Sequence, residues 1–226
     1  MKIIVSLTSW TKRIDQAHLT IESILNQTRK PDLVELNLDR ENFPNERADL
    51  PETLTSLEDR GLIKIYFYHV DLHCWSKLIN TWRRHRGEEY MSVTLDDDYT
   101  YPPNYLEEIE KNYQNADWGS TQHPKLTGGQ FMVYKSSLID RIIDKISDEL
   151  VLNCPLDDHV LFHVIHTVKN TRGPVIDSVP QCRGVGWSWR RNYYKDKDPS
   201  TLSQGEYPYE SFLRERDYMR AHNIAP

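Results

Sequence analysis

Three consecutive aspartates, Asp96, Asp97 and Asp98, follow an apolar run at residues 91–95 that is typical of a buried strand. Carboxylates this close together repel one another unless a cation neutralises them. Because alternate side chains of a strand point to the same side, Asp96 and Asp98 can share one hard cation. We therefore predict a site for Mg²⁺ or Mn²⁺, which bind carboxylates together with phosphate oxygens. A helix cap or an exposed turn is the alternative, since aspartate is common in both.

A second acidic pair, Asp157 and Asp158, stands between Pro155 and an apolar helical stripe at residues 160–165. An acid at the start of a helix interacts favourably with the helix dipole, which would explain one of the pair without any chemistry. A carboxylate separate from the metal site is also what general-base catalysis beside a metal requires. Both interpretations stay open from the residues alone.

Glycines and arginines mark two further candidate contacts with a ligand. Gly128 and Gly129 precede a strand pattern and remove side chains where a ligand could approach the backbone, although an ordinary turn explains them equally well. Arg190 and Arg191 lie in an irregular segment with Trp187 and could neutralise phosphate charge if that segment closed over a ligand. Solvated arginines are the alternative.

The hydrophobic pattern predicts the elements that position these residues. Strand patterns alternate with helical patterns through the first hundred residues, which favours βαβ units and a mostly parallel sheet covered on both faces. Open sheets of this kind bind ligands at the carboxyl ends of their strands. The predicted strands are residues 2–7, 34–38, 63–70, 90–95, 130–134 and 175–179. The predicted helices are residues 17–25, 50–60, 75–82, 102–113, 135–150 and 156–168, with a last one near Phe212.

Composition narrows the class of protein. The 226 residues carry 28 Lys and Arg against 34 Asp and Glu, so a net charge of −6 gives no general attraction to nucleic acid or anionic membrane. Three cysteines without a Cys-x-x-Cys pair suggest neither a disulfide framework nor a thiolate zinc site, and fit a reducing compartment. No apolar stretch is long enough for a signal peptide or an integral membrane segment. We expect a cytoplasmic location, with peripheral attachment to the inner face of the membrane left open.

Five segments resemble, in order, the motifs of nucleotide-sugar-dependent glycosyltransferases of the GT-A fold, especially family 2-like enzymes of bacterial polysaccharide synthesis. They are VSLTSWTKRI, TIESILNQTRKPDLVELNL, TLDDDYTYP, GGQFMVYKSSLI and PLDDHVL, which together run from about residue 3 to 168. The resemblance implies a Rossmann-like α/β fold with a mixed, mostly parallel central sheet flanked by helices and a loop-rich C-terminal tail. It implies one domain over residues 1–226, with a nucleotide-binding half (1–100), an acceptor-side half (101–181) and a C-terminal lid and helix (182–226).

The resemblance also implies roles for individual residues. The loop after the first strand would cradle the nucleotide, Asp39 or Asp71 would contact its base or ribose, and Lys77 its base or phosphate. Asp96 would meet ribose or metal, Asp98 the metal, and Asp158 or Asp157 would be the catalytic base. The loop residues are Thr8, Ser9, Trp10 and Arg13, and the other expected nucleotide contacts are Asp97, Gly128, Gly129, Arg190 and Arg191.

The resulting hypothesis is an inverting, Mn²⁺- or Mg²⁺-dependent transfer of a sugar from a nucleoside diphosphate sugar, with a UDP-sugar expected. The acceptor would be a hydroxyl of a carbohydrate or a lipid-linked glycan. One alternative is a haloacid-dehalogenase-like phosphatase, because Asp96-x-Asp98-x-Thr100 matches its motif. Another is a non-catalytic module that binds carbohydrate through Trp187, Trp189 and Tyr193.

Overall fold

Strands and helices alternate through the first hundred residues, as the hydrophobic pattern predicts. The computed structural model describes residues 1–120, 131–154, 161, 164–165, 167–172, 175–176, 183–184 and 217–222. The first strands are β1 (Lys2–Leu7), β2 (Leu33–Asp39), β3 (Lys64–Tyr68) and β4 (Tyr90–Leu95). The helices between them are α1 (Ile14–Leu25), α2 (Glu52–Asp59) and α3 (Thr81–Arg84), with a 3-10 turn at Glu46–Asp49. A 3-10 turn at His73–Trp75 and a π-helical turn at Ser76–Asn80 lead into α3.

The later elements follow β4 along the chain. They are β5 (Tyr99–Thr100), α4 (Tyr105–Asn112), β6 (Trp118–Ser120), β7 (Phe131–Lys135), α5 (Ser136–Ile142), α6 (Asp148–Asn153), β8 (Val175–Ile176) and β9 (Arg183–Gly184), with a 3-10 turn at Ile143–Lys145. The prediction of one helix over residues 135–150 is wrong. Ser147 has an extended backbone and its hydroxyl accepts from the amide of Leu150, so it begins a new helix.

Two predicted helices fall largely outside the described residues. Within the helix expected at residues 156–168, positions 161 and 164–165 are helical, and the side chains of Leu161, Val164 and Ile165 are buried. The predicted helix near Phe212 lies outside the described residues, whereas residues 217–221 are helical. β8 confirms the start of the strand expected at residues 175–179, and the rest of that range is not described.

The described strands form a seven-stranded sheet in the order β3-β2-β1-β4-β7-β6-β8 and a small sheet of β5 and β9. β3, β2, β1 and β4 run parallel, with Val5 opposite both Val34 and Val93. β7 is antiparallel to β4 and to β6, and β8 is parallel to β6. The predicted Rossmann-like arrangement, a mixed and mostly parallel central sheet flanked by helices, is confirmed.

Helices cover both faces of this sheet. Ile3, Val5 and Leu7 of β1 belong to one buried cluster, which includes residues of α1, α2 and α4. Ile4, on the opposite face, belongs to a second cluster with residues 72–82 and α5. Trp75, Leu78, Ile79 and Trp82 are all fully buried in that second cluster, as apolar residues at helical spacing on one face should be.

A charged network lies inside the second face of the sheet, on β2. Glu35 is fully buried, and its carboxylate contacts the guanidinium of Arg84 and lies 2.9 Å from Nε2 of His85. Thr81 donates to the same carboxylate at 2.8 Å, and Arg84 also stacks on the ring of Tyr66 at 3.5 Å. Since a buried carboxylate is costly without partners, this network fixes α3 against β2.

In the described part of the chain, no helix has the length and apolarity needed to cross a bilayer.

Replacing Arg84 by methionine should lower the free energy of unfolding by about 3–5 kcal/mol, because it leaves the buried charge of Glu35 without its guanidinium. Urea denaturation measures this loss. Arg83→Met is the matched control, since Arg83 pairs with the exposed Asp148 and its loss should cost about 1 kcal/mol or less. Equal losses in the two variants would contradict the structural role assigned to Arg84.

Candidate functional site

The carboxyl ends of the four parallel strands meet at one edge of the sheet. β1 and β4 are neighbours there, although β2 and β3 lie on the other side of β1, so the strand order reverses between β1 and β4. Open α/β sheets bind their ligands at such a switch point, outside the carboxyl ends of the strands. The loops after β1 and β4 contain Ser9, Arg13 and the three aspartates, so the topology brings these predicted residues together.

Asp97 fastens the loop after β4 to the loop after β1. Its side chain is only 2% exposed, and Oδ2 accepts from the hydroxyl of Ser9 at 2.5 Å and from Nε of Arg13 at 3.3 Å. The Arg13 guanidinium also pairs with Oδ1, and Thr20 of α1 donates to the Asp97 carbonyl at 2.8 Å. All these donors come from the protein, so Asp97 holds the two loops in place.

Asp96 and Asp98, on either side of Asp97 in the chain, are more exposed than Asp97. Their side chains are 29% and 14% exposed. All three aspartates lie beyond the end of β4 at Leu95, and Asp97 and Asp98 lie in a turn. Nζ of Lys77 lies 2.8 Å from Oδ1 of Asp96, and Nη1 of Arg13 lies 3.0 Å from Oδ2 of Asp98. Lys77 itself belongs to the π-helical turn, a distortion often found at functional sites.

The pKa of Asp98 is raised above its ordinary value. Burial is the main cause, and the negative charge of Asp96 adds to it, while the Arg13 guanidinium acts in the opposite direction. The carboxylate of Asp98 is thus held in a place where additional positive charge would stabilise it.

A second polar cluster follows β2 and β3 at the same edge. Asp39 accepts from the backbone amide of Asn42 at 2.7 Å and from its side-chain amide at 3.0 Å. The same Asn42 amide reaches Asp71 at 3.2 Å, and Nδ1 of His73 lies 3.0 Å from Asp71. The two predicted base or ribose contacts, Asp39 and Asp71, are therefore adjacent and share one amide.

The pKa values of the two acids of this cluster are shifted in opposite directions. Burial, together with the charge of Asp71, raises the pKa of Asp39. Burial also acts to raise the pKa of Asp71, but hydrogen bonds from the side chain and backbone of His73 outweigh it and lower that pKa. The hydrogen bond to Asp71 in turn raises the pKa of His73. Asp71 and His73 therefore stabilise each other in their charged forms.

An open cavity of about 350 Å³ adjoins this cluster. Asn42, whose side-chain amide contacts both Asp39 and Asp71, forms part of the wall of this cavity. Its lining consists of Thr11, Ile14, Asp15, Asn42, Phe43, Pro44 and Asp49. A pocket of this kind, with convergent polar groups, can take part of a small molecule.

The other predicted residues divide into two groups. Thr8 lies at the same edge and donates to the carbonyl of Asn37 at 2.8 Å, and Trp10 is partly buried with Nζ of Lys12 4.8 Å from its ring centre. The remaining predicted residues lie outside the described residues and stay predictions. They are Asp157, Asp158, Gly128, Gly129, Arg190 and Arg191.

The donor chemistry of this edge fits a hard divalent cation. Asp96 and Asp98 supply carboxylate oxygens, which Mg²⁺ and Mn²⁺ prefer. Among the residues described here, no group of three or more His, Cys, Asp or Glu side chains could hold a metal ion. Within the described part of the chain, Asp96 and Asp98 are the carboxylates that we assign to this site, and a ligand or water can supply further oxygens.

Sequence reasoning missed two residues of the site, Asn42 and His73. Asn42 comes three residues after Asp39 and His73 two residues after Asp71, and the amide of each donates to the side chain of that aspartate. Such local hydrogen bonds are typical of aspartates that begin turns. The spacing of these residues in the sequence could therefore have predicted the two turns. It could not have predicted that Asn42 contacts Asp71.

Comparison with known proteins identifies the fold. No family model matches this chain, and no curated protein matches its sequence. Among solved structures, the mannosyltransferase PcManGT from Pyrobaculum calidifontis, in complex with GDP-Man and Mn²⁺, is similar with a TM-score of 0.59 and 14% identity, covering 79% of this chain and 55% of that one. The fragment TarS 1–349 from S. aureus gives a TM-score of 0.53 and 13% identity, covering 79% of this chain and 59% of the fragment.

A cytidylyltransferase from Leptospira borgpetersenii is similar over almost the whole of both chains, 99% and 95%, with a TM-score of 0.50 and 8% identity. By contrast, this chain covers 55% of PcManGT, 59% of TarS 1–349 and 36% of a longer TarS structure. At these identities the likeness concerns the fold. The chain has the GT-A fold of nucleotide-sugar glycosyltransferases, which nucleotidyltransferases share.

Proposed function

We propose that this protein is a glycosyltransferase that moves a sugar from a nucleoside diphosphate sugar to an acceptor hydroxyl. The observation that carries the proposal is the group of charges at the switch point, where Asp96 and Asp98 lie beside Lys77 and Arg13. Carboxylates for a divalent cation and cations for phosphate are what a nucleoside diphosphate needs. The GT-A fold supports the proposal, as does the mannosyltransferase with its GDP-Man and Mn²⁺.

The donor would lie along the edge of the sheet. Its base or ribose would meet Asp39 and Asp71, beside the cavity lined by Asn42, and its diphosphate would lie near Arg13 and Lys77. Mn²⁺ or Mg²⁺, held by Asp96 and Asp98, would stabilise the negative charge that develops on the departing diphosphate. A UDP-sugar is the donor we favour.

Transfer would be a single displacement. Asp158, or its neighbour Asp157, takes the proton of the acceptor hydroxyl as the oxygen attacks the anomeric carbon. The bond between that carbon and the diphosphate breaks at the same time, and the diphosphate leaves with its electron pair. One displacement inverts the anomeric configuration, so we propose an inverting enzyme.

The wider role follows from the sequence resemblance. We propose a carbohydrate or lipid-linked glycan as acceptor and a part in bacterial surface polysaccharide synthesis. We also propose that the enzyme works in the cytoplasm, with peripheral attachment to the membrane as the arrangement that would bring it to a lipid-linked acceptor. The division into nucleotide-binding, acceptor-side and C-terminal lid segments belongs to the same proposal.

The cytidylyltransferase provides a second candidate, because it is similar over almost the full length of this chain. A nucleotidyltransferase would join a nucleoside triphosphate to a sugar phosphate and release pyrophosphate. Pyrophosphate released from such a mixture, without sugar transfer to any hydroxyl, would favour that candidate. The phosphatase alternative would instead trap an aspartyl-phosphate on Asp96 and release phosphate from a simple aryl phosphate.

Binding is tested with a thermal-shift panel of UDP-, GDP-, CMP- and dTDP-sugars, with and without Mn²⁺. We expect one donor to raise the melting temperature in the presence of Mn²⁺, because a ligand at one hundred times its dissociation constant stabilises the folded state by about 2.7 kcal/mol. Asp98→Asn should abolish the Mn²⁺-dependent part of that rise.

Asp144→Asn is the matched control for that experiment, since it removes the same charge from an exposed residue paired with Arg86 and should keep the Mn²⁺-dependent rise. Asp97→Asn tests the structural role of the carboxylate next to Asp98. We expect it to lower the free energy of unfolding by about 3 kcal/mol, because Arg13 and Ser9 lose their buried partner. A Mn²⁺-dependent shift that survives in Asp98→Asn would contradict the metal assignment.

Asp158→Asn should lower the rate of sugar transfer by about 10²- to 10⁴-fold, because the acceptor hydroxyl loses its general base. The donor should still raise the melting temperature of this variant. Asp157→Asn, compared in the same transfer assay, shows which member of the pair takes the proton. Near-normal turnover of Asp158→Asn would contradict its assignment as the base.

A further inference from the structure

The acids of the candidate metal site already have counter-ions from the protein. Nζ of Lys77 lies 2.8 Å from Asp96, and the Arg13 guanidinium reaches Asp98 at 3.0 Å while it also pairs with Asp97. These cations belong to side chains that are themselves largely buried, 13% exposed for Lys77 and 22% for Arg13. The contacts are therefore part of the folded site and differ from loose surface ion pairs.

A divalent cation would bind the same two carboxylates. Lys77 contacts one oxygen of Asp96 and Arg13 one oxygen of Asp98, so a metal on either carboxylate would lie close to a positively charged side chain and be repelled by it. If they moved away, Lys77 would lose its contact with Asp96 and Arg13 would lose Asp98 while keeping Asp97, and a new anion nearby would offset these losses. Binding of Mn²⁺ alone is opposed by the protein's own residues.

A diphosphate supplies the missing anion. Arginine and lysine both bind phosphate oxygens well. Arg13 is also held in place by its ion pair with the buried carboxylate of Asp97. Arg13 can therefore release Asp98 and reach a phosphate while its contact with Asp97 persists. Lys77 can exchange Asp96 for a phosphate oxygen in the same way.

We propose that Lys77 and Arg13 are internal counter-ions that make the binding of the divalent cation and of the diphosphate depend on each other. This inference rests on the proposed function and concerns how its site is filled. Without ligand, each of these side chains neutralises a carboxylate that would bind the metal. When the diphosphate binds, the side chain moves from the carboxylate to a phosphate oxygen. Such coupling would keep the site from binding metal without a donor.

The coupling is measured as the affinity for Mn²⁺, by electron paramagnetic resonance of the free ion, with and without UDP or GDP. We expect nucleotide to tighten Mn²⁺ binding to the wild-type protein by about tenfold or more. Direct contact between metal and phosphate would contribute to this, so the decisive comparison is between variants with Mn²⁺ alone.

Lys77→Met should bind Mn²⁺ alone about fivefold more tightly than wild type, and the tightening caused by nucleotide should shrink by the same factor. Arg13→Lys is the second variant, since it keeps a charge beside Asp97 but lacks the second arm that spans to Asp98. Lys12→Met is the matched control. It removes the same charge from an exposed residue whose ammonium lies on the Trp10 ring, so it should bind Mn²⁺ as wild type does.

Two outcomes separate failure of this inference from failure of the proposed function. Equal or weaker binding of Mn²⁺ alone by Lys77→Met and Arg13→Lys, in proteins that still bind Mn²⁺ with nucleotide, would overturn the counter-ion role only. Equal tightening in Lys12→Met would also overturn it, because general charge would then be the cause. No binding of Mn²⁺ or nucleotide by wild type or variants would overturn both.

Discussion

The buried carboxylate of Asp97 is the constraint on which the candidate site depends. A charge with almost no exposure must be surrounded by donors, and here the donors come from Ser9 and Arg13 in the loop after β1. The loop after β4 is thereby fixed to the loop after β1 at the point where strand order reverses. Asp96 and Asp98 are positioned by that contact, one on each side of it.

Charge at the edge of the sheet is balanced locally. Lys77 and Arg13 face the three aspartates after β4, while Asn42 and His73 support Asp39 and Asp71. A charged ligand that binds here would therefore exchange partners with groups that the protein already holds at the edge. The two clusters lie at the carboxyl ends of neighbouring strands, so one extended ligand can contact both.

A second buried charge supports the other face of the same strands. Glu35 of β2 has Arg84, His85 and Thr81 as partners, which holds α3 and the preceding π-helical turn against the sheet. Because Lys77 belongs to that turn, the network around Glu35 also contributes to the position of Lys77 at the edge. The buried polar contacts of Glu35 therefore contribute both to the stability of the fold and to the geometry of the candidate site.

The sequence alone determined the order of the first strands and helices, since apolar periodicity depends on neighbours a few residues apart. It also indicated the aspartates after β4 as the centre of the site. It could not show that Asp97 is the structural member of the three, because its partners lie 84 and 88 residues away. The break at Ser147 was missed because a serine cap competes with a continuous helical pattern. Only tertiary structure decided which carboxylates are occupied by protein cations, since ion pairing depends on distances that chain order does not contain.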